Sequence, residues 1–206
     1  RVLFRSSRSC SAGMSESMLT GWLIPTGKAG AFEYVSSQFV EMYEKGGVFL
    51  MDEIDAAGLK LIIGFGFNQD GNYDIWSGSF TNYINKYKDH NAILMWELGN
   101  EYNYHPEWFG SVEGWYHALS NATEMVHQID PSHPVATAHG ELPDALALSS
   151  CPNVDVWGMN VYRWDHPEDV FSEWAAVSSK PMYLSEIGGD GYMTAAGLGY
   201  EQGVNQ

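Results

Sequence analysis

The chain has 206 residues, enough for one sizeable hydrophobic core and too few for two comfortable domains. Its 26 acidic residues outnumber 10 basic residues, and the formal net charge is −16. Such a surface repels phosphate backbones and anionic lipids, so nucleic acid and membranes are poor partners and a neutral substrate fits better. Aromatic residues make up 14% of the chain, which suits stacking on flat ligands such as sugars, although a large core also uses them.

Several common kinds of site are absent from the sequence pattern. Cys10 and Cys151 stand alone, without a CxxC or Cys/His spacing, so neither a zinc site nor a disulfide can be argued. The glycines of GFGFNQDG (Gly64–Gly71) do not match the GxGxxG dinucleotide fingerprint. No apolar run reaches the length of about 18 residues that a transmembrane helix requires. We therefore expect no metal, no organic cofactor and no membrane insertion.

Both ends of the chain read as truncated. Arg1 to Ser6 resemble the translation of a sequencing adapter, and the final GYEQGVNQ falls within a helical pattern. We therefore treat residues 1–30 as a doubtful N-terminal segment and residues 31–206 as one partial domain. No signal peptide is visible, but truncation would have removed one, so the localisation stays open and secretion is compatible with the sequence.

Short apolar runs alternate with helical patterns along most of the chain. A first helix is predicted at Gly47–Gly58, where Leu50, Ile54 and Ala57 share one face. The predicted strands are Leu59–Phe67, Asn91–Asn100, Pro134–Gly140, Val154–Tyr162 and Lys180–Gly188. The predicted helices between them are Ser79–His90, Ser111–Ile129, Leu142–Ser150 and Pro167–Val177, and a polar helix follows Thr194.

The alternation of strands and helices predicts the fold class. Strands that are apolar on both faces, joined by helices, indicate a parallel sheet covered by helices. Without a dinucleotide fingerprint, a (β/α)8 TIM barrel is the favoured α/β architecture. A full barrel needs about 250 residues, so we expect an incomplete one.

Polar side chains stand where the predicted strands end. In a barrel, chemistry takes place at the carboxyl ends of the strands. Two of these ends carry a glutamate, Glu101 and Glu186. A retaining glycosidase needs such a pair, roughly 5–5.5 Å apart, with one carboxylic acid protonating the leaving oxygen and one carboxylate attacking the anomeric carbon. The surroundings must keep one group protonated and the other charged, which predicts a bell-shaped pH profile on the acid side of neutral.

Two motifs carry a resemblance to a known family. WELGNE (Trp96–Glu101) resembles the fourth barrel strand of clan A glycoside hydrolases, which ends on Asn-Glu, and YLSEIG (Tyr183–Gly188) resembles their seventh strand, which ends on Glu. With WGMNVYRW between them, the chain resembles above all the barrel domain of glycoside hydrolase family 2, with kinship to family 5 mannanases and family 72 β-1,3-glucanosyltransferases. The resemblance covers about Leu50 to Tyr200 and makes residues 31–206 a partial TIM-barrel catalytic domain.

The resemblance implies a retaining hydrolase of β-linked glycosides with a carbohydrate substrate. Glu101 matches the general acid/base and Glu186 the nucleophile. Asn100 matches the residue that holds the sugar 2-hydroxyl, and Tyr162 matches an aromatic residue whose hydroxyl orients the nucleophile and keeps it ionised. Further substrate contacts are expected at four positions, namely His139, Asn160, Trp164 and Asn68. An arginine of strand two and a tryptophan of strand eight have no counterpart placed here.

Alternative roles stay open for several of these residues. Glu97 is a local rival of Glu101, with a hydrogen bond or salt bridge inside the barrel as its other role. Asp190 is a rival of Glu186, or else a loop cap or substrate contact. His139 is equally compatible with a structural role. The aromatic residues after Glu101 either stack on sugars or pack over the barrel rim, namely Tyr102, Tyr104, His105 and Trp108.

Two other functions also fit the sequence. A transglycosylase would use the same residues and pass the glycosyl group to a sugar rather than to water. A carbohydrate-binding fragment would bind glycan without turnover. Glu186→Gln separates this second alternative from an enzyme, because it should abolish turnover and leave binding nearly unchanged.

Overall fold

The structure, a computed structural model, describes residues 20–25, 48–66, 75, 78–163 and 166–188. In this part of the chain, six strands form one sheet in chain order. The strands are β1 (Thr20–Pro25), β2 (Leu59–Phe65), β3 (Ile93–Asn100), β4 (Val135–Gly140), β5 (Val156–Val161) and β6 (Met182–Ile187). The α-helices are α1 (Val48–Ala56), α2 (Phe80–Tyr87), α3 (Val112–Ile129), α4 (Ala145–Ser150) and α5 (Asp169–Val177), with 3-10 turns at Tyr102–Tyr104 and Pro106–Trp108.

The five strands β2 to β6 are parallel and form a curled half-barrel, which confirms the predicted incomplete TIM-barrel fold. Each predicted strand is present, and its observed bounds lie within two residues of the expected ones. The expected helix after Thr194 lies outside the described residues. Among the described residues, no helix is long and apolar enough to cross a lipid bilayer.

Strand β1 was not anticipated, and it lies within the segment treated as doubtful. It pairs antiparallel with β2, with Thr20 opposite Gly64 and Pro25 opposite Leu59. All strands of a (β/α)8 barrel are parallel. The antiparallel β1 therefore departs from the barrel pattern at the edge of the sheet beside β2.

Side chains of the sheet divide between two faces. The helix-covered face holds the larger core, including Phe65, Trp96 and Trp157. The inner face carries one residue from each parallel strand, and these five residues form a second small cluster: Ile62, Met95, Ala136, Val156 and Tyr183. This second cluster is the inner lining expected of a barrel, in which inward and outward residues alternate along every strand.

Helix α3 is capped at its start and bonded to the sheet at its end. At its start, Ser111 accepts a hydrogen bond from the Gly114 amide at 3.0 Å and caps the helix. At its end, the buried carboxylate of Asp130 accepts hydrogen bonds from Trp96 Nε1 at 2.8 Å and from His133 Nδ1 at 2.7 Å. Burial opposes ionisation of Asp130, but hydrogen bonds from Ser132, Trp96 and His133 lower its pKa to about 2.

Candidate active site

The carboxyl ends of β3, β5 and β6 bring the two predicted catalytic glutamates to one edge of the sheet. Asn160 of β5 is the ladder partner of Glu186 on β6. On the other side of β4, Asn100 pairs with Ala138, and the Glu101 amide donates to the Ala138 carbonyl at 2.8 Å. Glu101 and Glu186 therefore both lie at the carboxyl-end edge of the half-barrel, at the mouth.

Asn160 is the residue that connects these strands. Its Nδ2 donates to Glu101 Oε1 at 2.9 Å and to Asn100 Oδ1 at 3.2 Å. Its Oδ1 accepts a hydrogen bond from Ser185 Oγ at 2.5 Å. The side chain is 3% exposed. The amide of Asn160, a predicted substrate contact, thus contacts the predicted acid/base directly.

The backbone at the end of β3 is unusual. The register shifts between Glu97 and Asn100, Gly99 has φ +75°, and Glu101 has φ +57°. A Cβ on Gly99 would lie 2.6 Å from Cη2 of Trp115, so both conformation and space require glycine there. A left-handed residue other than glycine costs roughly 1–2 kcal/mol. Such strained residues cluster at functional sites, and here the turn presents Glu101 at the mouth.

Tyr162 supports the predicted nucleophile. Its hydroxyl donates to Glu186 Oε2 at 2.6 Å, across from β5 to β6. A hydrogen bond to a carboxylate oxygen favours its charged form. The ring lies close to Gly188, where an added Cβ would be 3.1 Å from Cε1 of Tyr162. This geometry fits the orienting role that the sequence suggested for Tyr162.

The contacts of His139 favour its structural alternative. The ring is 5% exposed and faces the helix layer, between Tyr116 and Trp157. Its Nδ1 lies 3.0 Å from the Glu141 carbonyl, which can only accept, so this nitrogen carries the hydrogen. Its Nε2 lies 3.0 Å from the Tyr116 hydroxyl, which donates to it. Burial lowers the pKa of His139 and keeps the ring neutral.

Glu97 lies deeper in the half-barrel than Glu101. It is buried and accepts a hydrogen bond from the Tyr183 hydroxyl of β6. The Tyr183 ring crosses Gly158, where an added Cβ would lie 2.6 Å from Cζ of Tyr183. These contacts match a hydrogen-bonding role for Glu97 inside the barrel. This position does not support Glu97 as the acid/base in place of Glu101.

The aromatic residues after Glu101 separate into two groups. Tyr102 is buried against Phe109 and Trp115, with ring centroids 5.6 and 5.0 Å away. Tyr104 is 57% exposed, and the exposed Trp108 stacks on His105 with centroids 4.1 Å apart. Tyr102 thus packs over the rim, whereas Tyr104 and Trp108 are partly exposed, and Trp108 also contacts the Tyr102 ring with centroids 5.3 Å apart.

Tyr104 lies beside the candidate site. Its ring lies over Gly140, where an added Cβ would meet Cε2 of Tyr104 at 2.2 Å. Asn103 fixes this turn through two hydrogen bonds with Gly140, of 2.8 and 3.0 Å. Partial burial raises the pKa of Tyr104, and the charges of Glu101 and Glu141 raise it further.

An ion-pair cluster at the rim was not predicted. Arg163, directly after Tyr162, contacts Glu141 at 2.5 Å and Glu173 at 2.6 Å. Hydrogen bonds to these two carboxylates raise the pKa of Arg163. Its guanidinium charge is thereby offset by two acidic side chains.

Three sequence-predicted positions cannot be compared with this geometry. Asn68, Trp164 and Asp190 lie outside the described residues.

No group of three His, Cys, Asp or Glu side chains able to hold a metal ion occurs in the described part. Ser185 is not among the predicted site residues, although its position directly before the predicted nucleophile Glu186 indicated that it lies near the site.

The half-barrel with its acidic mouth belongs to the class of TIM-barrel domains. Residues 34–205 match the sequence model of the family described as glycosyl hydrolases family 2, TIM barrel domain. The chain therefore belongs to glycosyl hydrolase family 2. No curated protein sequence shows significant similarity to it.

Several solved structures of glycosidases and a family 2 member share this fold. A β-galacturonidase from Eisenbergiella tayi bound to galacturonate has a TM-score of 0.57 and 16% identity, over 84% of this chain and 35% of that one. A Bacteroides uniformis β-glucuronidase has a TM-score of 0.55 and 15% identity, over 76% and 22%. A family 2 member from Bacteroides cellulosilyticus DSM 14838 has a TM-score of 0.50 and 19% identity, over 67% and 18%. The chain thus spans 18% to 35% of the length of these proteins.

Proposed function

We propose that this chain carries the catalytic residues of a retaining β-glycoside hydrolase, with Glu101 as general acid/base and Glu186 as nucleophile. The main supporting observation concerns Asn160, whose side chain bonds Glu101 and whose backbone pairs with Glu186. Neighbouring strands lie about 4.8 Å apart, so Asn160, which contacts Glu101, lies one strand away from Glu186, and this supports a common site for the two glutamates. Family 2 membership supports the same reaction class.

In the first step, a carboxylate oxygen of Glu186 attacks the anomeric carbon and forms a glycosyl ester. The bond from that carbon to the leaving oxygen breaks, and Glu101 transfers its proton to this oxygen. The Tyr162 hydroxyl holds Glu186 Oε2 and favours the charged nucleophile before attack. We assign to Asn100, adjacent to the acid/base, the contact with the sugar 2-hydroxyl, which strengthens in the transition state.

In the second step, the Glu101 carboxylate removes a proton from water, and the hydroxyl oxygen bonds to the anomeric carbon. The ester bond breaks, Glu186 recovers its carboxylate and Glu101 recovers its proton. The net result is hydrolysis with retained configuration. The acid/base and the nucleophile in this scheme are both side chains of the protein.

The substrate is proposed to be a β-linked carbohydrate. Two of the similar structures are named as a β-glucuronidase and a β-galacturonidase, which makes uronides one class to test. The offset charge of Arg163 at the rim fits a neutral sugar at least as well. The open faces of Tyr104 and Trp108 could stack on a sugar ring beyond the cleaved bond.

The test is hydrolysis of a panel of aryl β-glycosides, neutral and uronic, by the 206-residue chain and its variants. Glu186→Gln should abolish turnover, and Glu101→Gln should slow it about 10²–10⁴-fold on substrates that need protonation. Glu124→Gln, on the exposed face of α3, is the matched control and should retain full activity. Turnover in Glu186→Gln equal to that of the unmodified chain would contradict the assignment.

The same experiment separates the alternative functions. Excess acceptor sugar should leave the products of a hydrolase unchanged, whereas a transglycosylase would form a new glycoside. Binding of glycan by the unmodified chain and by Glu186→Gln alike, with no turnover in either, would identify a binding fragment.

A further inference from the structure

We infer that Ser185 is a positioning residue that acts through Asn160 to set which oxygen of Glu101 carries the acid proton. This inference rests on the proposed function of Glu101 and deepens it. Ser185 is 0% exposed, and its hydroxyl lies 2.5 Å from Asn160 Oδ1. The chain Ser185–Asn160–Glu101 thus links the strand of the nucleophile to the acid/base through two hydrogen bonds.

A register shift places Ser185 for this contact. Met159 pairs with Leu184, but the next residue, Asn160, pairs with Glu186, so Ser185 is the extra residue in β6. In a regular strand, the side chains of Ser185 and Glu186 would point to opposite faces of the sheet. Bulges of this kind redirect a side chain next to active sites. Here the bulge lets Ser185 reach Asn160 while Glu186 stays on the ladder with Asn160.

The acceptors at Glu101 and Asn100 set the orientation of the Asn160 amide, and the Ser185 hydroxyl supports it by donating to Oδ1. With Oδ1 accepting from Ser185, Nδ2 faces Glu101 Oε1 and Asn100 Oδ1, both of which are acceptors. A rotated amide would place Oδ1 against two oxygen atoms. Without the serine hydroxyl, Oδ1 loses its donor in a buried site, and a buried acceptor without a partner is unfavourable. The preference for the observed orientation would then weaken.

The orientation of the amide assigns the proton of Glu101. An amide N–H can only donate, so Glu101 Oε1 accepts from Asn160, and this contact favours leaving Oε1 without the proton. The acid proton therefore belongs on Oε2, which is the oxygen that would protonate the leaving group. A rotated Asn160 would offer Oδ1 instead, which would draw the proton to Oε1 and away from the leaving oxygen.

The kinetic test compares leaving groups. Ser185→Ala should lower kcat/KM about tenfold on an alkyl β-glycoside, which needs protonation, and less than about twofold on a dinitrophenyl β-glycoside, which does not. Ser185→Thr keeps the hydroxyl and should retain both activities. Ser185→Cys, with a weaker donor of similar size, should fall between them and replaces the alanine variant if that one does not fold. Equal losses on both substrates, or no loss, would overturn the inference.

A second test does not depend on turnover, so it separates this inference from the proposed function. In the ¹⁵N-labelled chain, the Asn160 side-chain amide signals should move with pH as Glu101 gains its proton, and Glu101→Gln should remove that movement. Ser185→Ala should at least halve the movement or broaden the signals, and Ser185→Thr should preserve it. Signals of Ser185→Ala identical to those of the unmodified chain would overturn the inference. An inactive chain with the expected signals would contradict only the proposed function.

Discussion

The Tyr162 hydroxyl donates a 2.6 Å hydrogen bond to Glu186 Oε2, from the end of β5 to the end of β6. Hydrogen bonds to charged groups contribute roughly 1.5–3 kcal/mol. Tyr162→Phe should therefore lower kcat about 10–100-fold, because the nucleophile loses the donor that orients it and favours its charge. Steady-state kinetics on an aryl β-glycoside would measure this. Tyr87→Phe, on α2, is the control, and an equal loss in both variants would argue against a specific role for Tyr162.

The buried Asp130 should make stability depend on acid pH. Its pKa is lowered from 3.8 to about 2 in the folded chain, so the stabilisation is complete above the unfolded pKa near 3.8. It is lost as pH falls from about 4 through 2, and amounts to about 2 kcal/mol at neutral pH. Urea unfolding at pH 7, 4 and 2 should show this loss. Asp130→Asn should lose that part of the pH dependence, while Glu124→Gln should keep it.

Gly158 should tolerate no larger residue, because the Tyr183 ring lies across it. A Cβ there would be 2.6 Å from Cζ and 2.7 Å from the hydroxyl of Tyr183. Gly158→Ala should displace the ring, weaken its hydrogen bond to Glu97 and lower the free energy of unfolding by roughly 1–3 kcal/mol.

Gly110→Ala is the comparison for this prediction. A Cβ at Gly110 meets no atom within 4 Å, but its φ of +79° still strains an alanine. It should cost only about 1 kcal/mol, which is the penalty of the backbone conformation alone. A smaller effect for Gly158→Ala than for Gly110→Ala in urea unfolding would contradict the packing described for Tyr183.

His139 allows a direct test between a substrate contact and a structural role. Both ring nitrogens already bond protein groups, Glu141 and Tyr116. His139→Ala should lower the free energy of unfolding by roughly 1–3 kcal/mol, because buried partners lose their hydrogen bonds. The KM of the remaining folded enzyme should change less than about twofold. A large rise in KM with little loss of stability would restore the role of substrate contact.

Much of the fold was predictable because its signals are local. Runs such as Leu59–Phe65 and Ile93–Leu98 are apolar on both faces, which marks a buried parallel strand whatever its neighbours are. The carboxyl ends of parallel strands share one edge, so Glu101, Asn160 and Glu186 could be assigned to one mouth from their positions alone. The antiparallel β1 could not be anticipated, because it pairs with β2, which is distant in the sequence.

The order of the five parallel strands and the residue types at the mouth follow from the local pattern of the chain. The contacts of those residues depend on the tertiary fold. Asn160 contacts Glu101, and His139 faces the helix layer. Ser185 reaches Asn160 only because of a one-residue register shift in β6. Register reverses the direction of every side chain in a strand, and it depends on the pairing and packing of distant segments, so no local pattern contains it.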